Sequence, residues 1–308
     1  MQPPSSIRVG AHIGEALAAK APIVALESTI FTHGLPRPRN VEVALEGETI
    51  VRSSGVTPAT IGVHRGTPVV GLTAEEIEEL GNDDLAEKAS IRELSIAAVT
   101  QRNAGTTIAA TAFLARAVGI DVFATGGLGG VHHGAEKTFD ESADLVALSK
   151  VSIVLVSSGA KAILDVGATL ERFETLSVPV VGYRTNRYPG FYTPDSGYPV
   201  NARVDTAEDA ATLLMVQRDL GLDSGILIAN PIPAEEGLDA AELDAAVARA
   251  WAAAERDGIT GQASTPYLLD FLRRETQGRS LNANVALYHN NIRLAVEIAI
   301  ALTKGNQR

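Results

Sequence analysis

Cysteine is absent, aromatic residues make up only 5% of the 308 residues, and basic residues are outnumbered, with 26 Lys and Arg against 37 Asp and Glu. Each shortage excludes something. Without cysteine there are no disulfides and no thiolate metal sites. The net charge of −11 argues against a nucleic-acid polymer as partner, because phosphate neutralisation needs clustered Lys and Arg. A small phosphorylated substrate needs only a local pocket and stays open. No apolar run approaches the roughly 20 residues that span a bilayer, and the opening MQPPSSIRVG has no signal-peptide core. A soluble, cytoplasmic protein with no membrane partner is expected. What is plentiful is glycine, 28 residues, beside 45% apolar content. That pairing suits an α/β protein with many tight turns, and the length allows one domain over residues 1–308 with a sizeable core.

Short β-branched runs alternate with helical patterns. PIVALES (22–28) reads as a buried strand, and PATIGV (58–63) and TPVVGL (67–72) as a close antiparallel pair. TAEEIEELG reads as a helix capped by Thr73. SIAAVT (95–100) reads as a strand, 106–119 as a helix, and IDVFATGG (120–127) as a strand entering a glycine-rich loop. A short helix is expected over 140–150 with Asp140 as its cap. VSIVLVSSG reads as a strand that hands over at once to a helix, AKAILDVGATLERFET. Further strands are expected at 177–183 and 224–233, a helix at 207–221, and a long loop at 184–204. After residue 234 the chain reads as helical. This order predicts a largely parallel (mixed) sheet with helices on both faces, in which ligands sit off the carboxyl ends of the strands.

Four strand ends carry chemistry-capable groups. Glu27 follows four apolar residues, so desolvation should raise its pKa and suit it to general-acid work; the bland alternative is a structural ion pair or cap. The glycines 126, 127, 129 and 130 would let backbone N–H groups approach a ligand, although this is neither a dinucleotide fingerprint nor a Walker loop. His132 and His133 are adjacent, which is poor spacing for one metal. Asp140, Glu141 and Asp144 crowd a helix start, either for dipole reasons or to hold a hard cation such as Mn²⁺ or Mg²⁺. Lys161 is placed in the first turn of a helix, the wrong end for its charge. Burial and the positive helix end would both depress its pKa and make it a nucleophile for sugar carbons, unless it merely snorkels to water. Lys88 reads as a surface helix lysine.

Six stretches together carry a resemblance: ALESTIFTHGLPRPRN, TGGLGGVHHGAEKTFDESADL, GAKAILD, VPVVGYRTNRYPGFY, NPIP and TPYLLDFLRRETQGRSLNANVALYHNNIRLA. In this order, from about residue 20 to the C-terminus, they resemble the pseudouridine-5′-phosphate glycosidase (indigoidine-synthase-A-like) family. The resemblance implies a three-layer α/β/α sandwich, a homotrimer, and hydrolysis of pseudouridine 5′-phosphate to uracil and ribose 5-phosphate. It implies that Glu27 protonates the ring oxygen and Lys161 adds to C1′, forming an imine as the C–C bond breaks. It implies one Mn²⁺ per subunit, or another hard divalent cation, at Asp140. Substrate contacts are implied for Lys88, Ile108, Ser142, Ala143, Asp144 and Asn284, the last near the uracil, with Thr125 and His132 as candidates for the phosphate. The chain departs from the family at His133, often Arg there, at Glu141, and in PGFY and VSSGAK. Two other readings of a strand-end lysine are a Schiff-base aldolase for a sugar phosphate and a non-catalytic nucleotide-binding protein.

Overall fold

Ile23–Leu26 is buried at all four positions, as a strand covered on both faces must be. It is β2 in the computed structural model, which describes residues 4–259, 261 and 264–305. The strands are β1 (Arg8–Val9), β2, β3 (Thr57–His64), β4 (Thr67–Val70), β5 (Glu87–Ala89), β6 (Ala104–Thr106), β7 (Val122–Ala124), β8 (Val154–Ser157), β9 (Val180–Tyr183), β10 (Ala202–Val204) and β11 (Ile226–Ala229). They lie in the order β1-β4-β3-β2-β7-β8-β11-β9-β10, with β6 on β3 and β5 on β6. From β3 through β10 along this path every pairing is parallel. The β3–β4 and β3–β6 pairings are antiparallel, so the sheet is mixed, and helices cover both faces. No helix among the described residues is long and apolar enough to cross a membrane.

The strand order changes sense between β2 and β7. From β2 the chain passes to β3 on one side of this border, and from β7 to β8 on the other. Such a border is where an α/β sheet opens a crevice off its strand ends. The registers Leu26↔Ala124 and Ala124↔Val156 bring the ends of β2, β7 and β8 level. The next residues, Glu27, Thr125 and Ser157, therefore emerge side by side.

The pair at 58–63 and 67–72 and the capping box of Thr73 with Glu76 match the sequence reading. Several expectations do not. Residues 95–100 belong to a helix, Ile91–Thr100. Glu93 accepts from the Ser90 N–H at 3.0 Å and closes the helix start, and Ile96 and Val99 are 50% and 85% exposed, so the run never fills a sheet. Lys88 is not on a surface helix but on β5, half-buried. The loop at 184–204 ends in β10, an edge strand parallel to β9.

Lys161 is not in a helix. The helix after β8 is Val166–Thr175, and its cap is Asp165, which accepts from the Ala168 N–H at 2.9 Å. Between them the chain runs beside the loop that follows β7 and makes one turn, in which Leu164 N–H donates to Lys161 O at 2.9 Å. Ser158 N–H donates to the Gly126 carbonyl, Leu128 to Gly159, Lys161 to Leu128 and Asp165 to Val131, all at 2.9–3.1 Å. Gly159 permits this path: its φ is +91°, and a Cβ would collide with the Pro189 carbonyl. Lys161 is thus held by its own backbone against the neighbouring strand-end loop. Asp140 likewise is not a helix cap; Ser142 caps Ala143–Leu148, accepting from the Asp144 N–H at 3.2 Å.

Candidate active site

Off the ends of β2, β7 and β8 lie two adjoining cavity lobes. Both are lined by Glu27, Thr29, Lys88, Glu93, Lys161 and Thr265. The first lobe adds His33, Gly126, Gly127, Phe191, Leu269 and Asn284. The second adds Ser90, Ile108, His132, Asp140, Ser142 and Asp144, with Ala143 at its rim. Glu27 and Lys161 therefore stand at the waist. Ten of the eleven residues singled out from the sequence line one lobe or both.

The eleventh is Thr125. It is fully buried and its hydroxyl donates to Glu27 Oε1, while Thr29 donates to Oε2. Thr125 supports the carboxyl from below instead of facing a phosphate. Burial holds the Glu27 carboxyl above its ordinary value; the Lys161 charge and the two hydroxyls pull it partly back. This is the environment expected of a proton donor. Lys88 is also pushed below the usual lysine range, first by burial and then by Lys161. Two lysines in one small cavity attract an anion, despite the strongly negative chain.

Ile108 is buried, so what it can offer is the leading N–H of the helix Ile108–Ala117, an anion-binding end. Asp144 has both oxygens engaged: Oδ1 accepts from Ala109 N–H at 2.9 Å and Oδ2 from Gly129 N–H at 3.0 Å. It clamps that helix to the glycine loop. The glycines serve packing as much as ligand approach. A Cβ on Gly129 would collide with the Ser142 hydroxyl and come within 2.9 Å of Asp144.

A hard cation fits the second lobe in part. Asp140 presents a half-exposed carboxylate, and His132 leaves Nδ1 buried without a partner. Burial lowers the His132 pKa while Asp140 opposes it. Oxygen and imidazole donors suit Mn²⁺. Among the described residues no group of three or more His, Asp or Glu side chains could hold a metal, so waters or substrate would have to complete the shell. His133 is exposed and stands with His132 edge-on to the single tryptophan, Trp251, whose indole donates to the Ile163 carbonyl at 3.2 Å.

Several contributors escaped the sequence reading. Thr29, His33, Ser90 and Phe191 line the lobes, and the Ser90 hydroxyl is buried without a partner. Position alone could have flagged Thr29 and His33, two and six residues past Glu27. Phe191 sits at φ +66°, a left-handed backbone that favours glycine, and its N–H donates to Ser158 O at 3.1 Å. Beneath the floor, fully buried Asn291 donates to Thr125 O at 2.8 Å and Gly126 O at 3.2 Å, and accepts from Asn230 at 2.9 Å. One amide of the C-terminal helix Arg279–Gly305 thereby ties the ends of β7 and β11.

A family model described as "Indigoidine synthase A like protein" matches residues 12–301. The pseudouridine-5′-phosphate glycosidase of Saccharopolyspora erythraea is 57% identical over 96% of this chain and 97% of its own. The enzyme of that name from Caldanaerobacter subterraneus is 47% identical over 97% of each. Among solved structures, the prealnumycin C-glycosynthase AlnA in complex with ribulose 5-phosphate superposes with a TM-score of 0.91 at 36% identity, covering 99% of both chains. An indigoidine synthase A-like protein from Thermotoga maritima gives 0.89 at 36%, covering 98% and 99%. The six sequence stretches, the strand-end lysine and carboxyl, and these likenesses agree: the chain belongs to the indigoidine synthase A like family.

Proposed function

We propose that this enzyme cleaves the C–C glycosidic bond of pseudouridine 5′-phosphate, giving uracil and ribose 5-phosphate. The observation that carries the proposal is the waist: a buried carboxyl with a raised pKa and a lysine, each lining both of two lobes that differ in chemistry. The second lobe, with Lys88, Ser90, the N–H of Ile108 and Ser142, suits a sugar phosphate. The first, with Phe191, His33 and Asn284, suits a flat base with donors and acceptors. C1′ then falls between Glu27 and Lys161. The ribulose 5-phosphate complex of AlnA supports the sugar-phosphate class.

A C–C bond sets the demand on the lysine. Uracil leaves on carbon, so the two-carboxylate scheme for O-glycosides is unsuitable. Glu27 gives its proton to the ring oxygen as the C1′–O bond breaks. Lys161 bonds to C1′ through its amine nitrogen, which then gives a proton to the Glu27 carboxylate and so regains its lone pair. That lone pair forms the C1′=N imine, the C1′–C5 pair passes to uracil, and C5 takes the proton from Glu27. Water hydrolyses the imine, releasing ribose 5-phosphate and the amine. Asp140, with His132 beside it, would hold Mn²⁺, whose charge would favour binding of the anionic substrate. We read the chain as one domain, since Glu27, Lys161 and Asn284 come from its first, middle and last thirds. A cytoplasmic homotrimer is the proposed setting; exposed Ile96, Val99 and Phe113 offer apolar surface for subunit contact.

The test is direct. Purified protein with pseudouridine 5′-phosphate and Mn²⁺ should release uracil, followed by its absorbance. Chelation should stop release and added Mn²⁺ should restore it. No uracil with metal present would overturn the proposal. Gly129→Ala should displace Ser142 and Asp144 and lower kcat/KM on the order of 10²-fold, the scale of an ångström's misplacement. Wild-type kcat/KM in that variant would show that the 142–144 segment does not bind substrate.

A further inference from the structure

We infer that His33 reads the base: its Nε2 accepts a hydrogen bond from a ring N–H of uracil, which makes His33 a specificity-determining residue. The inference rests on the proposed reaction. His33 lies in Ile30–Gly34, a single wide π turn six residues beyond Glu27, and such turns recur at functional sites. The turn is anchored. Fully buried Asn40 donates to Phe31 O and to Gly81 O, both at 2.8 Å. The half-buried imidazole borders the first lobe and a side cavity behind it, and Asn284 borders the same two spaces.

The hydrogen bonds assign the tautomer. Thr32 Oγ1 donates to the Ser28 carbonyl at 3.0 Å and lies 2.7 Å from His33 Nδ1. A threonine hydroxyl has one hydrogen. Given to Ser28, it leaves the oxygen only as an acceptor toward the ring. Reversed, its lone pairs would face the carbonyl oxygen at 3.0 Å. Nδ1 therefore carries the hydrogen and Nε2 the lone pair. Burial and Lys88 both favour this neutral ring.

A base joined through carbon keeps both of its ring N–H groups and needs an acceptor for them. The carboxylates on this lobe are engaged. Glu27 is held by two threonines, Glu93 by Ser90 N–H and Arg92, and the exposed Glu87 lies 3.9 Å from Arg102. Among the described residues, Nε2 and the amide oxygen of Asn284 are the neutral acceptors that face this lobe without a recorded partner, and the base has two ring N–H groups to place. A ring nitrogen without hydrogen would set lone pair against lone pair, and an N-methyl group would block the contact.

The experiment measures inhibition of uracil release by uracil, 1-methyluracil and 3-methyluracil. The wild type should bind at least one methyluracil roughly tenfold or more weakly than uracil, the scale on which a site built for a hydrogen bond rejects an analogue without it. His33→Leu should shrink that gap to about threefold or less, with KM rising more than kcat falls. His33→Gln, which can offer a carbonyl near Nε2, should restore part of the gap. Thr32→Val, which keeps the ring but frees its tautomer, should fall between wild type and His33→Leu, and it decides the matter should His33→Leu fail to fold. An unchanged gap in the folded variants, or equal binding of all three bases by wild type, overturns the inference. Failure of wild type to release any uracil overturns the proposed reaction instead, so the two are distinguishable.

Discussion

Lys161→Ala is expected to lower uracil release on the order of 10⁴-fold or more, the scale on which loss of a covalent nucleophile acts. The fold should survive. Lys161 is half-buried, and among the described residues its side chain makes no ion pair. What holds its position is backbone, the N–H donated to Leu128 O at 3.1 Å, which alanine keeps. Lys161→Arg should be as inactive, because a guanidinium stays protonated and has no lone pair to give C1′. Borohydride added with ribose 5-phosphate should fix the sugar to the wild type at Lys161, found by peptide mapping, and to neither variant. Activity in Lys161→Ala above a tenth of wild type would remove the lysine from the reaction. Trapping at Lys88 would move the role to the other lysine of the waist.

The reach of the sequence follows from how local each signal is. Glu27 and Lys161 were legible because apolar β-branched runs mark β2 and β8, and whatever follows such a run lies at the ligand edge of a parallel sheet. The helix start at Lys161 was misread because AKAILD has helical composition. The decisive contacts are with Leu128 and Val131, some 30 residues away in sequence. Residues 95–100 failed for the opposite reason: a strand-like composition was overruled by the Ser90–Glu93 cap and by neighbours that leave Val99 in solvent. Lys88 needed the pairing of β5 with β6 to bring it to the cavity. Thr125 was found but misassigned, since only the register of β2 with β7 shows its hydroxyl meeting Glu27. Asn291 carries no local signal at all. Its partners lie 61 and 166 residues away.

Glu27→Gln should separate activity from stability. The variant keeps the shape but has no proton to give the ring oxygen, so kcat should fall about 10²–10⁴-fold, the usual worth of a positioned acid. In the wild type the proton-bearing form is the active one. Burial raises the folded-state pKa, so this proton is kept into a pH range where an ordinary glutamate has lost it, and activity falls as pH rises through the folded value. The same shift acts on folding with a definite sign. A carboxyl with a folded pKa above its unfolded one contributes stability that is fully present below the unfolded pKa and lost as pH rises through the folded pKa. Glutamine does not titrate. Its melting temperature, measured from acid to neutral pH, should gain on wild type across that window while its activity stays low throughout. Parallel melting curves would mean that Glu27 is not held protonated by burial. A Glu27→Gln enzyme within tenfold of wild type would mean that the ring-opening proton comes from another group.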